Sequence, residues 1–444
     1  MSYGNMFGDL KQSLKVERLS GVERALRALK EAGFTEQQSA AVVAEPGSEI
    51  IVSAGAGAGK TKTLTERVCW LLEQGVNPRD VLVCTFTKAA STELVKRIKQ
   101  RMPTITDLPA CGTVHSVALG LLGGMGGLET RGLALMDEQG YESRSERLAL
   151  DAPETLKGLS AKDLLLLVQR CQEERQGPAD LQLLTAHWEE SLRSEGLCDF
   201  VMLLQLCLKE QAPRNFKHIL CDEAQDLTQL QLDWIHHFMA PGATLYLCGD
   251  DDQSLYSFRG TAKGVLACRV TAGARLYMID RNFRCARKVL EHANNVIAFN
   301  TNRLAGRLIP NRKDEGIVEV LGFATGVAEA DAAALALSSR RSHAVLVRTR
   351  EMLAPFEALG LNAKTIHESK GLEWDHVWVA GVELGVLPHS LGDREEERRL
   401  CYVAMTRARN SLTMSYAAER FVNGRMGRYS PSPFLYETQA LDVR

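Results

Sequence analysis

The sequence predicts an α/β protein with two doubly wound parallel-sheet lobes and a helical insertion in the first lobe. Three observations carry that prediction. Short apolar runs alternate with stretches of helical period; a loop of small residues ending in Gly59-Lys60-Thr61 joins one such run to one such stretch; and the alternation restarts after about residue 270.

The elements follow in order. An amphipathic helix (Val22, Ala25, Leu26, Leu29) precedes Phe34 and serves packing. The run Ile50 to Val52 is the first strand, and Leu64, Val68, Leu71 and Leu72 mark the helix after it. Between them lies Ala54-Gly55-Ala56-Gly57-Ala58-Gly59-Lys60-Thr61, a phosphate-binding loop. Its side chains are small enough for successive amides to curl around polyphosphate oxygens, with the positive helix end behind them. Lys60 is placed for the β and γ phosphates and Thr61 for Mg²⁺, with Ala54 standing where the motif has Gly. Further strands are expected at Val81 to Cys84, His218 to Cys221 and Thr244 to Cys248. A second lobe is expected to open with a strand at Leu276 to Ile279 and a helix from Arg284 to Ala298, then strands at Ala344 to Val347 and His376 to Ala380. The stretch from Leu119 to Pro213 changes character, with a Gly-rich connection and then Leu-rich helical segments. The expected division is therefore 1–118 with 213–270 as the nucleotide-binding lobe, 119–212 as the insertion and 271–444 as the second lobe.

Composition narrows the function. With 444 residues, 45% hydrophobic and 24% charged, the chain reads as a globular protein of two to four domains. Aliphatic runs such as Leu164 to Val168 are too short for a bilayer, and Met1 to Ser20 has no apolar signal region, so a cytoplasmic protein with no membrane partner is expected. Eleven cysteines include no Cys-x-x-Cys pair, and several sit in strand patterns, which favours buried reduced thiols over metal ligands or disulfides. A formal charge of −2 argues against a general polyanion-coating protein. It leaves room for a groove that binds single strands by stacked aromatics and a modest basic track.

The apolar strand His218 to Cys221 ends in Asp222-Glu223. At the carboxyl end of a strand, facing the phosphate loop, Asp222 is placed to complete a Mg²⁺ shell and Glu223 to align or deprotonate a water.

Eight blocks, from Phe34 to Arg409, then carry a specific resemblance. They are Phe34-Thr35-Glu36-Gln37-Gln38, Ala54 to Thr61, Thr85-Phe86-Thr87-Lys88-Ala89-Ala90, Asp222 to Asp226, Gly249 to Gly260, Asn282-Phe283-Arg284, Thr365 to Glu373 and Tyr402 to Ala408. In content and order they resemble superfamily 1 DNA helicases of the UvrD/Rep/PcrA type, which implies RecA-like lobes, ATP and Mg²⁺ as cofactors, and DNA as the track. By that resemblance Gln37 meets the adenine edge, Phe283 stacks on the base where the family more often has Tyr, and Lys62 replaces a usual Arg. Gln253 senses the γ phosphate, Glu373 reaches the ribose, and Arg284 and Arg407 act as fingers from the second lobe on a phosphate held by the first. Phe86, Tyr256 and Phe258 stack on single-stranded bases, Phe258 standing where Trp is typical, while Thr113, His115, Ser116 and His367 contact the backbone.

The implied activity is an ATP-dependent single-strand translocase and helicase of 3′ to 5′ polarity. It would work on single strands and single/double-strand junctions, with a protein loading partner. The chain departs from the family in one place: the blocks Ala344 to Thr349 and Thr365 are separated by only fifteen residues, so the large accessory insertion of the second lobe is missing. With the sequence ending soon after Pro433-Phe434-Leu435, no appended nuclease domain is expected. That keeps open a motor that strips proteins or needs a partner to unwind, an RNA track, and, more remotely, a non-catalytic DNA-binding protein.

Overall fold

The computed structural model describes residues 21–124, 126–210, 215–255, 264–301, 303–390, 392–422 and 424–440. Six parallel strands form the first sheet: β1 (Glu49–Ala54), β2 (Val81–Thr85), β3 (Ala110–Thr113), β4 (Phe216–Cys221), β5 (Met239–Gly249) and β6 (Arg275–Ile279), in the order β3-β2-β4-β5-β1-β6. The central strands read as unbroken apolar runs because each face of the sheet meets its own core. Ile51, Leu82, Ile219 and Leu245 point to one face. Ile50, Val52, Val83 and Leu220 point to the other, where Leu64, Val68 and Leu71 of helix Lys60–Glu73 cover them.

One strand differs from expectation. The run Leu276 to Ile279 closes the first lobe instead of opening the second, since β6 lies parallel to β1 with Val52 opposite Tyr277. An apolar strand must satisfy its amides against some edge, and its composition does not say which edge the topology offers. The placement matters for the phosphate loop, because Gly55 N donates to Ile279 O at the end of β6 (3.3 Å).

Helices Val114–Gly123, Glu138–Leu150, Ala161–Glu174, Ala179–Ser194 and Phe200–Lys209 form the insertion. Asp137, Ser160 and Asp199 cap three of them by accepting from the amide three residues on. Val168, Trp188, Leu192 and Leu204 share one core with Ile219 and Leu245, so the insertion is built onto the sheet face. Within it Asp199 is fully buried, accepts from Trp188 Nε1 (2.9 Å) and Met202 N (2.7 Å), and has its carboxyl pushed up by burial.

The second sheet runs β7-β11-β10-β8-β9, all parallel, from β7 (Ile317–Thr325), β8 (His343–Val347), β9 (Ala363–Thr365), β10 (Trp374–Val379) and β11 (Ala408–Val422). A further strand, β12 (Arg425–Arg428), pairs antiparallel with the end of β11. β8 and β9 are neighbours, Val347 opposite Thr365, joined by two short helical turns. Among the described residues no helix is long and apolar enough to cross a membrane.

The lobes share a core as well. Ala56 of the phosphate loop and Leu255 pack in one cluster with Cys285, Val289, Leu346 and Met405 of the second lobe.

A buried ionic triad fastens the second lobe. Arg420 of β11 donates from Nε to Glu383 Oε2 (3.0 Å), pairs through Nη2 with Glu383 Oε1 (2.7 Å), and pairs with Glu329 on helix Gly326–Leu337. Ser415 Oγ and Ala417 N supply further hydrogen bonds to the two carboxylates (both 2.6 Å). Removing the cation would leave two buried carboxylates uncompensated, so Arg420→Ala is expected to lower stability by about 3–5 kcal/mol, read as a lower urea midpoint by circular dichroism.

Candidate functional site

The phosphate loop turns back on itself after β1 through two residues in the left-handed region, Gly57 (φ +64°) and Gly59 (φ +82°). Both positions also lack room for a side chain. A Cβ on Gly57 would stand 2.6 Å from Arg284 Cβ, and one on Gly59 would stand 2.9 Å from Gln38 Nε2. Helix Lys60–Glu73 starts at once, so its first amides face the loop mouth. Lys60 Nζ lies across the mouth, donating to Ala54 O (3.1 Å). Thr61 Oγ1 donates to Asp222 Oδ2 (3.2 Å), which brings the helix start to the end of β4.

Asp222 is held by its amide, which donates to Cys84 O at the end of β2 (2.9 Å). Burial and then Glu223 push the Asp222 carboxyl up to about 6, against the pull of Lys60. Glu223 goes the other way. Burial opposes its charge, but Lys60, Lys370, a hydrogen bond from Gln225 Nε2 (2.6 Å) and Arg407 outweigh burial and hold it at about 2. Its backbone is left-handed (φ +52°), a strain of about 1–3 kcal/mol that a non-glycine residue sustains only where its surroundings fix it. Held ionised by these neighbours, Glu223 is placed to align or deprotonate a water.

Among the described residues no group of three His, Cys, Asp or Glu is arranged to hold a metal ion. The Thr61 and Asp222 oxygens nonetheless fit a hard cation that takes few protein ligands and completes its shell with phosphate and water oxygens, which is the habit of Mg²⁺.

The second lobe meets this loop along a seam. Asn282 Nδ2 donates to Ala56 O (2.6 Å) and Phe283 N to Gly57 O (2.9 Å). Arg407, 2% exposed, donates from Nη2 to Gln253 Oε1 of the first lobe (2.8 Å), and Gln253 Nε2 donates on to Asp250 Oδ2 (2.5 Å). Its other acceptors are Val403 O (3.2 Å) and Leu372 O (3.3 Å). All three are neutral, and no carboxylate is among its acceptors in the described residues. Burial, then Arg284, pulls Arg407 down to about 10, which leaves it charged at neutral pH. Arg284 donates from Nη1 to Thr406 O (3.2 Å) and is paired with Glu373.

Phe283, Arg284, Glu373, Gly57 and Gly59 line one cavity of about 560 Å³, joined there by Arg409. Five of the residues expected from sequence are thus brought together. Lys62 Nζ sits 4.0 Å from the Phe34 ring centroid, a cation–π contact at the same end. Gln37 Oε1 accepts from Asp280 N (3.3 Å). Its neighbour Gln38 is the one seated on the phosphate loop, donating from Nε2 to Ala58 O (2.9 Å) while Oε1 accepts from Thr35 N (2.9 Å). The Thr35-x-x-Gln38 capping box was the sequence signal that separates the two glutamines.

Two residues that carried no sequence expectation join the lobes. Lys370, after β9, pairs with Asp226 and lies 3.9 Å from Glu223 Oε2, with its Nζ 5.5 Å from the Phe86 ring centroid. Arg303 pairs with buried Asp252 (2.7 Å).

Of the residues expected on DNA, Phe86 follows β2 and Thr113 ends β3, in register at Thr85 and Thr113, so they share one end of the sheet. Thr113 Oγ1 caps the next helix by accepting from Ser116 N (3.2 Å), and Ser116 Oγ donates back to Thr113 O (2.9 Å). The His115 ring lies 4.8 Å from that of Phe200. His367 follows β9; burial, then Arg348, pulls it down to about 4, so it is neutral at physiological pH. Tyr256 and Phe258 lie outside the described residues.

A glycine-flanked loop and two carboxylates on one parallel sheet, met by guanidinium groups from another, define a phosphate-binding-loop protein whose site is completed between two RecA-like lobes. The chain belongs to the UvrD/REP helicase family: residues 34–267 match the UvrD/REP helicase N-terminal domain and 361–419 the UvrD-like helicase C-terminal domain. It is 28% identical to DNA helicase II of Escherichia coli K12 over 312 residues, covering 60% of this chain and 40% of that protein. It is 25% identical to DNA helicase II of Haemophilus influenzae over 325 residues, with 62% and 42% covered. It is 26% identical to ATP-dependent DNA helicase PcrA of Staphylococcus aureus over 296 residues, with 61% and 40% covered. The chain thus spans about two fifths of the length of these relatives.

If Gln38 is the glutamine that reads the nucleotide, Gln38→Ala should weaken binding of a fluorescent ATP analogue by about 5–30-fold, the value of one or two hydrogen bonds. Gln37→Ala should shift it less than about twofold on the same scale.

Proposed function

We propose that the chain is an ATP-driven motor that moves along single-stranded DNA and separates duplex at junctions, in the 3′ to 5′ direction. The observation that carries this reading is Arg407, a buried cation at the seam whose hydrogen-bond acceptors are all neutral, facing a loop built for phosphate. Its donors are met without a carboxylate, so the charge, offset only through space by Glu223, stays available to a γ phosphate, the anion that would balance it directly.

In this reading Lys60 and the amides of residues 55–61 hold the β and γ phosphates, and Phe283, Lys62, Gln38 and Glu373 hold base and ribose. Thr61 and Asp222 hold Mg²⁺, which supplies charge neutralisation to the phosphates when bound. Glu223 aligns or deprotonates the attacking water, Gln253 reports the γ phosphate to Arg407, and Arg284 and Arg407 stabilise the charge that develops on the transferred group, a contribution of roughly 10³–10⁵ in rate for such fingers. Because these groups come from two lobes, hydrolysis requires closure and product release permits opening. Phe86, Thr113, His115, Ser116 and His367, with Tyr256 and Phe258, form the track for the strand. Lys370 ties that track to Glu223 through the pairing described above, which gives DNA a route to stimulate turnover.

A second reading is favoured by the link between β8 and β9. Where relatives of this type carry a large accessory domain, fifteen residues (350–364) separate the two blocks here. A motor without that domain would translocate and strip proteins from single strands but need a partner to open duplex.

Lys60→Ala and Glu223→Gln are each expected to reduce DNA-stimulated ATPase by at least about a hundredfold, with Glu223→Gln still binding nucleotide. Turnover close to the unmodified level in both variants contradicts the assignment. On a forked substrate with either single-stranded arm, unwinding only with a 3′ arm supports the full reading, and translocation without unwinding supports the second.

A further inference from the structure

The cavity beside the phosphate loop contains an arginine to which no role has yet been given. Glu373 divides its two oxygens between two guanidinium groups: Oε2 accepts from Arg284 Nε and Oε1 accepts from Arg409 Nε (2.9 Å) and Nη2. Arg409 Nη1 also lies 4.0 Å from Asp375 Oδ1. The main chain of Arg409 is pinned at the start of β11, its carbonyl accepting from Ala286 N (2.8 Å) and Arg312 Nη1 (3.0 Å). Its side chain is half exposed, whereas that of Arg284 is largely buried (48% against 16%). Anchored at its base and solvated at its tip, Arg409 can stay on Glu373 while Arg284 moves.

Arg284 has its Nε engaged by Glu373 and its Nη1 by Thr406 O, so turning the guanidinium onto a phosphate would weaken its hold on Glu373. When it leaves, a carboxylate would be stranded on the wall of a cavity that takes a polyphosphate, and that repulsion would draw Arg284 back. We infer that Arg409 is a positioning residue for the Arg284 finger: it neutralises Glu373, so that the carboxylate releases Arg284 to the nucleotide. This rests on the motor reading above, in which Arg284 acts on the γ phosphate. Without Arg409, Glu373 keeps Arg284 as its principal counter-charge and the finger is held off the transition state. The loss should therefore fall on kcat, with KM little changed.

The test is a double-mutant cycle on the full chain, reading DNA-stimulated ATPase kcat and KM. With Glu373 present, Arg409→Met is expected to lower kcat by about tenfold with KM for ATP changed less than about twofold, and Arg409→Lys, which keeps the charge, to recover most of the loss. In a Glu373→Gln background, where no carboxylate competes for Arg284, Arg409→Met should change kcat by less than about twofold. An equal loss in both backgrounds, or no loss beside Glu373, overturns the inference. Absence of DNA-stimulated turnover in the unmodified chain would instead overturn the motor reading, so the two failures are told apart.

Discussion

The hydrogen bond from Arg407 to Gln253 is the contact on which the rest of the site depends, because it carries a buried positive charge from one lobe onto the other. A guanidinium with 2% exposure needs its donors satisfied, and here two main-chain carbonyls of its own lobe and one amide oxygen across the seam do that without cancelling the charge. The charge is felt at Glu223, which Arg407 helps keep ionised. Lys60 and Lys370 act on the same carboxylate from the two sides, so one acidic group senses the loop, the seam and the end of β9 together.

That concentration of charge explains the architecture around it. Parallel sheets present their carboxyl ends on one side, and the loops leaving β1, β2, β3 and β4 carry the phosphate loop, Phe86, Thr113 and Asp222 to that side. The second sheet contributes Lys370 from beyond the carboxyl end of β9, and Glu373 and Arg407 from the amino ends of β10 and β11, where Trp374 lies opposite Ala408. Ala56 and Leu255 packing into the second lobe's core, together with Asn282 and Phe283 bonding to the loop backbone, make the seam a place where movement of one lobe must be felt by the other.

Much of this was legible in sequence. Strands buried on both faces read as apolar runs, and the small-residue loop before Lys60-Thr61 announced its backbone geometry, since Gly57 and Gly59 occupy conformations that other residues rarely adopt. What was not legible is pairing at a distance. The run Leu276 to Ile279 reads as a strand, but nothing in it says that its partner is β1. Lys370 and Asp226 lie 144 residues apart, and Arg420 lies 91 from Glu329, so their pairings exist only once the chain is folded. Gln37 and Gln38 are alike in composition, and only the capping geometry at Thr35 tells which one faces the loop. The Arg409 pairing with Glu373 was hidden for the same reason as the other ion pairs, since a charged residue in a polar stretch reads as solvated surface.

The most direct test of a phosphate gripped between two lobes is the structure of the chain with single-stranded DNA and the transition-state mimic ADP–aluminium fluoride. The guanidinium groups of Arg284 and Arg407 are expected both within hydrogen-bond distance of the fluoride, with Arg284 released from Glu373. Either guanidinium turned to solvent, with the fluoride held by the first lobe alone, would contradict it.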